Sequence, residues 1–134
     1  MTNHIQRYTS LLLTMLLAVG AIKSAWLADD AFITLRTVRN ILDGFGPVWN
    51  VGERVQAFTH PLWMLVLTGA VALTREYYYT SLLLSIALAL VAFYILLRYL
   101  AVDWVSALLG GVILILSKAH VDYATSGLEN PLAH

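Results

Sequence analysis

The sequence contains no cysteine. Disulfides, thiolate metal sites and a cysteine nucleophile are therefore excluded for these 134 residues, and the redox compartment stays open. Charged residues are also scarce and make up 12% of the chain. Eight basic and eight acidic residues balance to a formal net charge of zero at pH 7. This balance gives no reason to expect a nucleic acid or a polybasic lipid tether as a partner.

Apolar residues are abundant and make up 60% of the chain, well beyond the usage of soluble domains. A helix needs about 20 residues to cross the hydrocarbon of a bilayer. Apolar stretches lie at about 11–28, 61–73, 79–97 and 102–116. The first and third are long enough, and the fourth becomes so if it extends to 121. The sequence therefore predicts an all-α, polytopic membrane protein with the lipid bilayer as its first partner.

The short second stretch decides the predicted topology. If it stays at the outer surface as an interfacial helix, the chain crosses three times, and if it spans, four times. Arg7 suits a cytoplasmic N-terminus, and Arg98 is cytoplasmic only with three crossings, as the positive-inside rule favours. Arg75 on the outside is a mild cost, and we prefer three crossings. The predicted order is a crossing at 11–28, an outer loop with juxtamembrane helices at 29–76, crossings at 77–98 and 102–121, and the start of a second outer loop at 122–134.

An acidic pair, Asp29 and Asp30, directly follows the first apolar stretch. Two carboxylates near hydrocarbon cost roughly a few kcal/mol unless they meet cations, water or metal. One of them can cap a helix expected from Ala31 to Leu42, which Gly44 would end with a left-handed residue. The other is either merely solvated, or a general base or metal ligand at the lipid–water boundary.

Other polar residues near the apolar stretches also have a structural and a functional interpretation. Arg36 and Arg39 can snorkel to the headgroups, or hold a phosphate, which suits a guanidinium fork. His60 is more often a surface or capping residue than a ligand or base. Glu129 precedes a helix start with Asn130 as the cap, which leaves its carboxylate without an explanation. The tryptophans fit interfacial anchors, and they are Trp26, Trp49, Trp63 and Trp104.

Taken in order, the outer-loop residues form a pattern. It consists of Asp29-Asp30-Ala31-Phe32-Ile33, Arg36, Asn40, Gly44-Phe45-Gly46, Asn50-Val51-Gly52-Glu53-Arg54-Val55 and Thr59-His60-Pro61-Leu62-Trp63. The pattern resembles the first outer loop of the GT-C superfamily of polyprenyl-phosphate-sugar glycosyltransferases. It is most similar to the protein mannosyltransferase, aminoarabinose transferase and terminal arabinofuranosyltransferase group. One departure is Gln56-Ala57-Phe58, where relatives often carry an acid and a glycine before an aromatic residue.

The resemblance implies inverting sugar transfer at the outer face of the plasma (inner) membrane, as part of cell-envelope synthesis. Asp29 is then the base and Asp30 its partner, while Glu129 matches an acidic residue of a second outer loop. The donor would be a polyprenyl-phosphate sugar, and the acceptor a hydroxyl of a glycan, lipid or protein. Substrate and phosphate contacts are expected at Arg36, Arg39, His60 and Glu129, with room for a divalent cation of unknown ligands.

The resemblance also implies further helices. The last residues stop where a new apolar segment begins, so we expect an N-terminal piece of a larger protein that does not catalyse alone. A transporter fragment and a non-catalytic membrane assembly protein remain as alternatives. Transporters tend to place charged residues at mid-membrane in broken helices, whereas here they cluster at segment ends.

Overall fold

A computed structural model describes residues 2–53, 55 and 58–133. Arg54 of the loop pattern lies outside the described residues, and so do Gln56 and Ala57, where the sequence departs from that pattern. The described part contains no strand, which confirms the all-α prediction. Its helices are α1 (Thr2–Lys23), α2 (Asp29–Leu42), α3 (Pro61–Thr74), α4 (Tyr78–Ile95) with a π-helical turn (Leu96–Leu100), α5 (Trp104–Leu116), α6 (Lys118–Tyr123) and α7 (Asn130–Ala133).

Helices α1, α4 and α5 pack side by side with alternating direction. At one end, the Gln6 side-chain amide of α1 donates to the carbonyl oxygens of Leu97 and Ala101, at 3.1 Å each. These carbonyls belong to the π-helical turn and the bend that follows it, so α1 begins where α4 ends. At the other end, Gly20 of α1 approaches Val121 of α6, so α5 and α6 run in the direction of α1. Leu13, Leu17, Phe93, Leu97 and Ala107 form the buried core between these helices.

Two helices of the described chain are long and apolar enough to cross a membrane, over His4–Lys23 and Tyr78–Leu100. The first begins earlier than the apolar stretch at 11–28 because Gln6 and Ser10 are buried with their hydrogen bonds made inside the protein. It also ends earlier, since the chain leaves the helix after Lys23 and continues without helix up to Asp29. Helix α5 is apolar but shorter, because the chain breaks at Ser117 before α6 begins.

Helices α2 and α3 pack on each other at the end of the bundle where α4 begins. Leu35 and Val38 of α2 meet Trp63, Leu67 and Val71 of α3 in a second buried core. The N-terminal turn of α3 is joined to Gly127, which also lies against Ser81 near the start of α4. The C-terminal end of α3 meets the same region, because the hydroxyls of Thr74 and Thr80 are 2.7 Å apart. Both ends of the short second stretch therefore lie at one end of the bundle.

The predicted cap of α2 is wrong. The helix begins at Asp29 rather than Ala31, and Ala28 occupies the N-cap position with an extended backbone and no side-chain cap. The reason is a non-local contact, since the Ala28 N–H donates to the Ser126 carbonyl at 2.8 Å and fixes where the helix starts. Asp29 and Asp30 lie in the first turn, where the partial positive charge of the helix N-terminus stabilises carboxylates.

Candidate active site

The acidic pair lies at a meeting point of three chain segments. Both aspartates are exposed on the first turn of α2, directly after the Ala28–Ser126 hydrogen bond. Gly127 is buried beside the start of α2, and a Cβ atom built on it would lie 2.5 Å from Leu27 and 3.0 Å from Ala31. The 125–127 segment, which follows α6, is therefore held directly beside the start of α2.

Trp63 joins the same segment to α3. Its indole N–H donates to the Gly127 carbonyl at 2.9 Å, and the side chain is only 1% exposed. The interpretation of Trp63 as an interfacial anchor is therefore wrong, because its ring lies in the core and its polar atom holds a loop. The Ala28–Ser126 and Trp63–Gly127 hydrogen bonds together form what we call the Ser126–Gly127 junction.

Glu129 and His60 meet on the other side of this junction. The imidazole Nε2 lies 2.8 Å from Glu129 Oε1, and the two side chains are 48% and 25% exposed. His60 occupies the N-cap position of α3, but its side chain makes no capping hydrogen bond there. The pair opens onto a cleft of about 320 Å³. Its lining is Thr59, His60, Pro61, Leu62, Trp63, Glu129, Leu132 and Ala133.

Arg36 is occupied by its own loop. Its Nε donates to the Trp49 carbonyl at 3.1 Å, its Nη2 donates to Asn50 Oδ1 at 2.9 Å, and its guanidinium lies 4.3 Å above the Trp49 ring. The side-chain amide of Asn40 donates to the Val48 carbonyl at 2.7 Å and supports the same loop. Trp49 therefore stacks under Arg36, and these two hydrogen bonds use two of the five N–H donors of its guanidinium.

Arg39 has a more available guanidinium. Its Nε lies 3.6 Å from Asp43 Oδ2, with side chains 71% and 48% exposed, an ion pair of the kind that contributes little to stability. Gly44 follows with a φ of +85°, which confirms the left-handed residue predicted after α2. Arg39 lines an open cleft of about 870 Å³. The cleft lining is Phe32, Leu35, Arg36, Arg39, Asn40, Asp43, Phe45, Tyr77 and Tyr78.

The large cleft runs along α2 toward the acidic pair. Asp29 and Arg36 are separated by two helical turns, so their Cα positions share one face of α2 and lie about 10 Å apart along its axis. Phe32 lies between them and lines the cleft. One helix thus carries a carboxylate at its start and arginines further along the same side.

No metal centre is preassembled in the described part of the chain. No group of three or more histidine, cysteine, aspartate or glutamate side chains there is arranged to hold a metal ion. Asp29, Asp30 and Glu129 do not form such a group within the described ranges.

The sequence did not predict the contacts that bring the candidate site residues together. The pattern singled out Glu129 and His60 individually, and the structure brings them together at 2.8 Å. The sequence did not indicate that Ser126 and Trp63 make hydrogen bonds between segments, because their partners, Ala28 and Gly127, are distant in the chain. The one available signal was the run of small residues before Glu129, three of which (Ala124, Thr125 and Ser126) are fully buried.

Two curated proteins are similar to most of this chain. A terminal beta-(1->2)-arabinofuranosyltransferase of Mycobacterium tuberculosis is 36% identical over 124 residues, which cover 84% of this chain and 20% of that protein. A protein of the same name from Corynebacterium glutamicum is 42% identical over 112 residues, which cover 78% of this chain and 16% of that protein. No protein-family model and no solved structure matches the chain.

The chain thus spans about a fifth or less of the length of these relatives. Together with the two long apolar helices, the likeness indicates a membrane protein. The resemblance read from the loop pattern is confirmed, because most of the chain is similar to two terminal beta-(1->2)-arabinofuranosyltransferases.

Proposed function

We propose that this chain is part of a membrane glycosyltransferase that moves a sugar from a polyprenyl-phosphate donor to an acceptor hydroxyl at the outer face of the plasma membrane. The homology to arabinofuranosyltransferases carries the proposal, and it favours arabinofuranose as the sugar. The geometry supports it, because the acidic pair and the His60–Glu129 pair adjoin the same Ser126–Gly127 junction.

In this proposal Asp29 acts as the general base. It removes the proton from the acceptor hydroxyl as that oxygen attacks the anomeric carbon of the donor sugar. The new carbon–oxygen bond forms as the bond from the anomeric carbon to the phosphate oxygen breaks, and the lipid phosphate leaves with the electron pair. Attack opposite to the leaving group inverts the anomeric configuration. Asp30, the adjacent carboxylate, is the partner of Asp29 in the pair.

Arg39 is our choice for the donor phosphate. Its guanidinium is exposed and held only by a weak pair with Asp43, so a phosphate can replace that contact. Arg36 has a second task, because two of its five donors hold Trp49 and Asn50. It fixes the loop that forms one side of the large cleft, and so shapes the phosphate site without supplying its main contact.

The proposed topology has three crossings, made by α1, α4 with its π-helical turn, and α5 with α6. The position of α3 supports this number, since both of its ends lie at the end of the bundle where α4 begins. Arg7 and Arg98 lie together at the opposite end, as the positive-inside rule favours for the cytoplasm. The N-terminus is then cytoplasmic, and the acidic pair faces outward.

Cysteine labelling tests this topology. The chain has no cysteine of its own. In a cysteine-free background of the intact protein, a cysteine replacing Arg75 should react with an impermeant maleimide applied from outside. A cysteine replacing Arg98 should react only after permeabilisation, and the parent without cysteine is the control. Labelling of the Arg75 position only after permeabilisation would show four crossings instead.

A transfer assay tests the function. Membranes containing the intact protein should move labelled arabinofuranose from a polyprenyl-phosphate donor onto a glycan acceptor, with the product linkage inverted relative to the donor. Membranes without the protein are the control. Passage of donor or ions across the membrane with no labelled glycan would instead support the transporter interpretation. The absence of both sugar transfer and transport would favour a non-catalytic assembly protein.

A further inference from the structure

The His60–Glu129 pair has a chemistry that the phosphate hypothesis does not use. Because Nε2 lies 2.8 Å from a carboxylate oxygen, the neutral imidazole carries its proton on Nε2 and donates it to Glu129. Nδ1 then holds a lone pair. The Nδ1 atom makes no hydrogen bond to any other described residue, so it is available to accept one from a ligand.

The pair is held in place from both sides. His60 directly precedes α3, and Trp63 of that helix is bonded to Gly127 at 2.9 Å. On the Glu129 side, the backbone carbonyl of that residue accepts hydrogen bonds from the N–H groups of Leu132 and Ala133, at the start of α7. The imidazole and the carboxylate therefore approach each other on fixed backbone positions, which lowers the ordering cost of binding.

The surroundings favour a neutral ligand over an anion. Glu129 places a carboxylate beside the imidazole, and among the described residues of the cleft lining His60 and Glu129 are the titratable ones. No lysine or arginine of the described ranges lines that cleft, whereas Arg36 and Arg39 line the other one. A phosphate therefore fits the arginine side of the site, and a hydroxyl, which can donate to Nδ1, fits the histidine side.

The shape of the cleft agrees with one sugar ring. Its volume of about 320 Å³ is at the small end of ligand pockets. Pro61, Leu62 and Leu132 supply apolar surface against which the C–H face of a sugar can pack. The Ser126–Gly127 junction places this cleft next to the start of α2, which carries Asp29.

We propose that the His60–Glu129 cleft is the acceptor subsite of the transferase, in which Nδ1 of His60 accepts a hydrogen bond from one hydroxyl of the acceptor sugar. Glu129 fixes the tautomer that makes this possible. The donor phosphate occupies the arginine-lined cleft along α2. This inference rests on the proposed function, and it names the acceptor as a neutral, hydroxyl-rich glycan.

Binding of deoxy sugars to the intact, detergent-purified protein tests this. The probes are an arabinofuranose disaccharide and its analogues that each lack one hydroxyl, measured by calorimetry without donor. One analogue should bind the wild type roughly 3- to 10-fold more weakly than the parent sugar, the usual size of one hydrogen bond. His60→Phe removes the lone pair but keeps a ring, so the two sugars should bind it equally.

Glu129→Lys gives a sharper readout. A lysine ammonium can only donate, so Nε2 has to accept and the imidazole proton moves to Nδ1, which removes the acceptor while His60 stays in place. The ratio between parent and deoxy sugar should therefore fall to about one. His60→Gln has a side-chain oxygen that can accept a hydrogen bond. This variant should therefore show a ratio between that of His60→Phe and that of the wild type. Leu62→Ala is the matched control, since lost apolar contact weakens both sugars alike and leaves the ratio unchanged.

The ratio compares two ligands on one protein, so partial unfolding of a variant cancels. Equal ratios in wild type, His60→Phe and Glu129→Lys would overturn the subsite, and so would no binding of the disaccharide to the wild type. These measurements need no turnover. Loss of the ratio in the variants without any transfer by the wild type would overturn the proposed function and keep the sugar site.

Discussion

Asp29→Asn should abolish sugar transfer in the intact protein. Asparagine keeps the size of the side chain but cannot accept the hydroxyl proton, and general base help is worth about 10²- to 10⁴-fold in rate. The side chain is exposed on the first turn of α2 and makes no capping hydrogen bond, so its replacement should leave the fold intact. The measurement is the initial rate of labelled sugar transfer in membranes with matched protein levels.

Asp103→Asn is the matched control for this substitution. Asp103 lies at the opposite end of the bundle, where its Oδ1 accepts the Ser106 N–H at 2.7 Å and caps α5. That hydrogen bond holds the pKa of the carboxyl below its ordinary value. Asparagine is an equally good capping residue, so this variant should transfer sugar at the wild-type rate. An Asp29→Asn protein that keeps more than a tenth of the wild-type rate would remove Asp29 from the base role.

Gly127→Val should unfold the site. Gly127 has a φ of +75°, a conformation that costs an L-residue roughly 1–2 kcal/mol. The added carbon atoms would also meet Leu27 at 2.5 Å and Ala31 at 3.0 Å, and overpacking of this kind costs typically about 1–3 kcal/mol. We expect a clear fall in the thermal unfolding temperature of the detergent-purified protein, with a change in the fluorescence of Trp63, whose indole N–H is bonded to this residue.

Gly110→Ala separates this effect from the general loss of a glycine. Gly110 lies within α5, and a Cβ built there meets nothing within 4 Å. Alanine is the better helix former by about 0.8–1.0 kcal/mol, so this variant should be as stable as the wild type or more stable. Equal unfolding temperatures for Gly127→Val and the wild type would show that the junction is not tightly packed.

Local features of the fold were predictable from the sequence. The helical stretches follow from apolar runs and their lengths, and the end of α2 follows from Gly44, which adopts the left-handed conformation expected of a glycine there. The start of the same helix was not predictable. It depends on Ser126, which contacts Ala28 across most of the chain, and no local pattern encodes that contact.

The candidate site divides in the same way. The order of the loop residues and its resemblance to a known family singled out Asp29, Asp30, Glu129 and His60, whose residue types alone are not specific. Packing decides how much of each arginine is available, since a loop that folds back on α2 uses two of the five donors of Arg36. The pairing of His60 with Glu129 likewise depends on how α3 lies at the end of the bundle.

The Ser126–Gly127 junction also sets the order in which the site can form during synthesis. Asp29 is synthesised early, directly after α1, and before the segments that later pack beside it. Its neighbourhood is complete only after α4, α5 and α6 are in place, since the segment that holds α2 and α3 follows all of them. Chains interrupted before Ser126 carry the whole acidic loop but lack the Ala28–Ser126 and Trp63–Gly127 hydrogen bonds that join it to the rest of the bundle. An interrupted chain therefore lacks the junction that joins the start of α2 to α3.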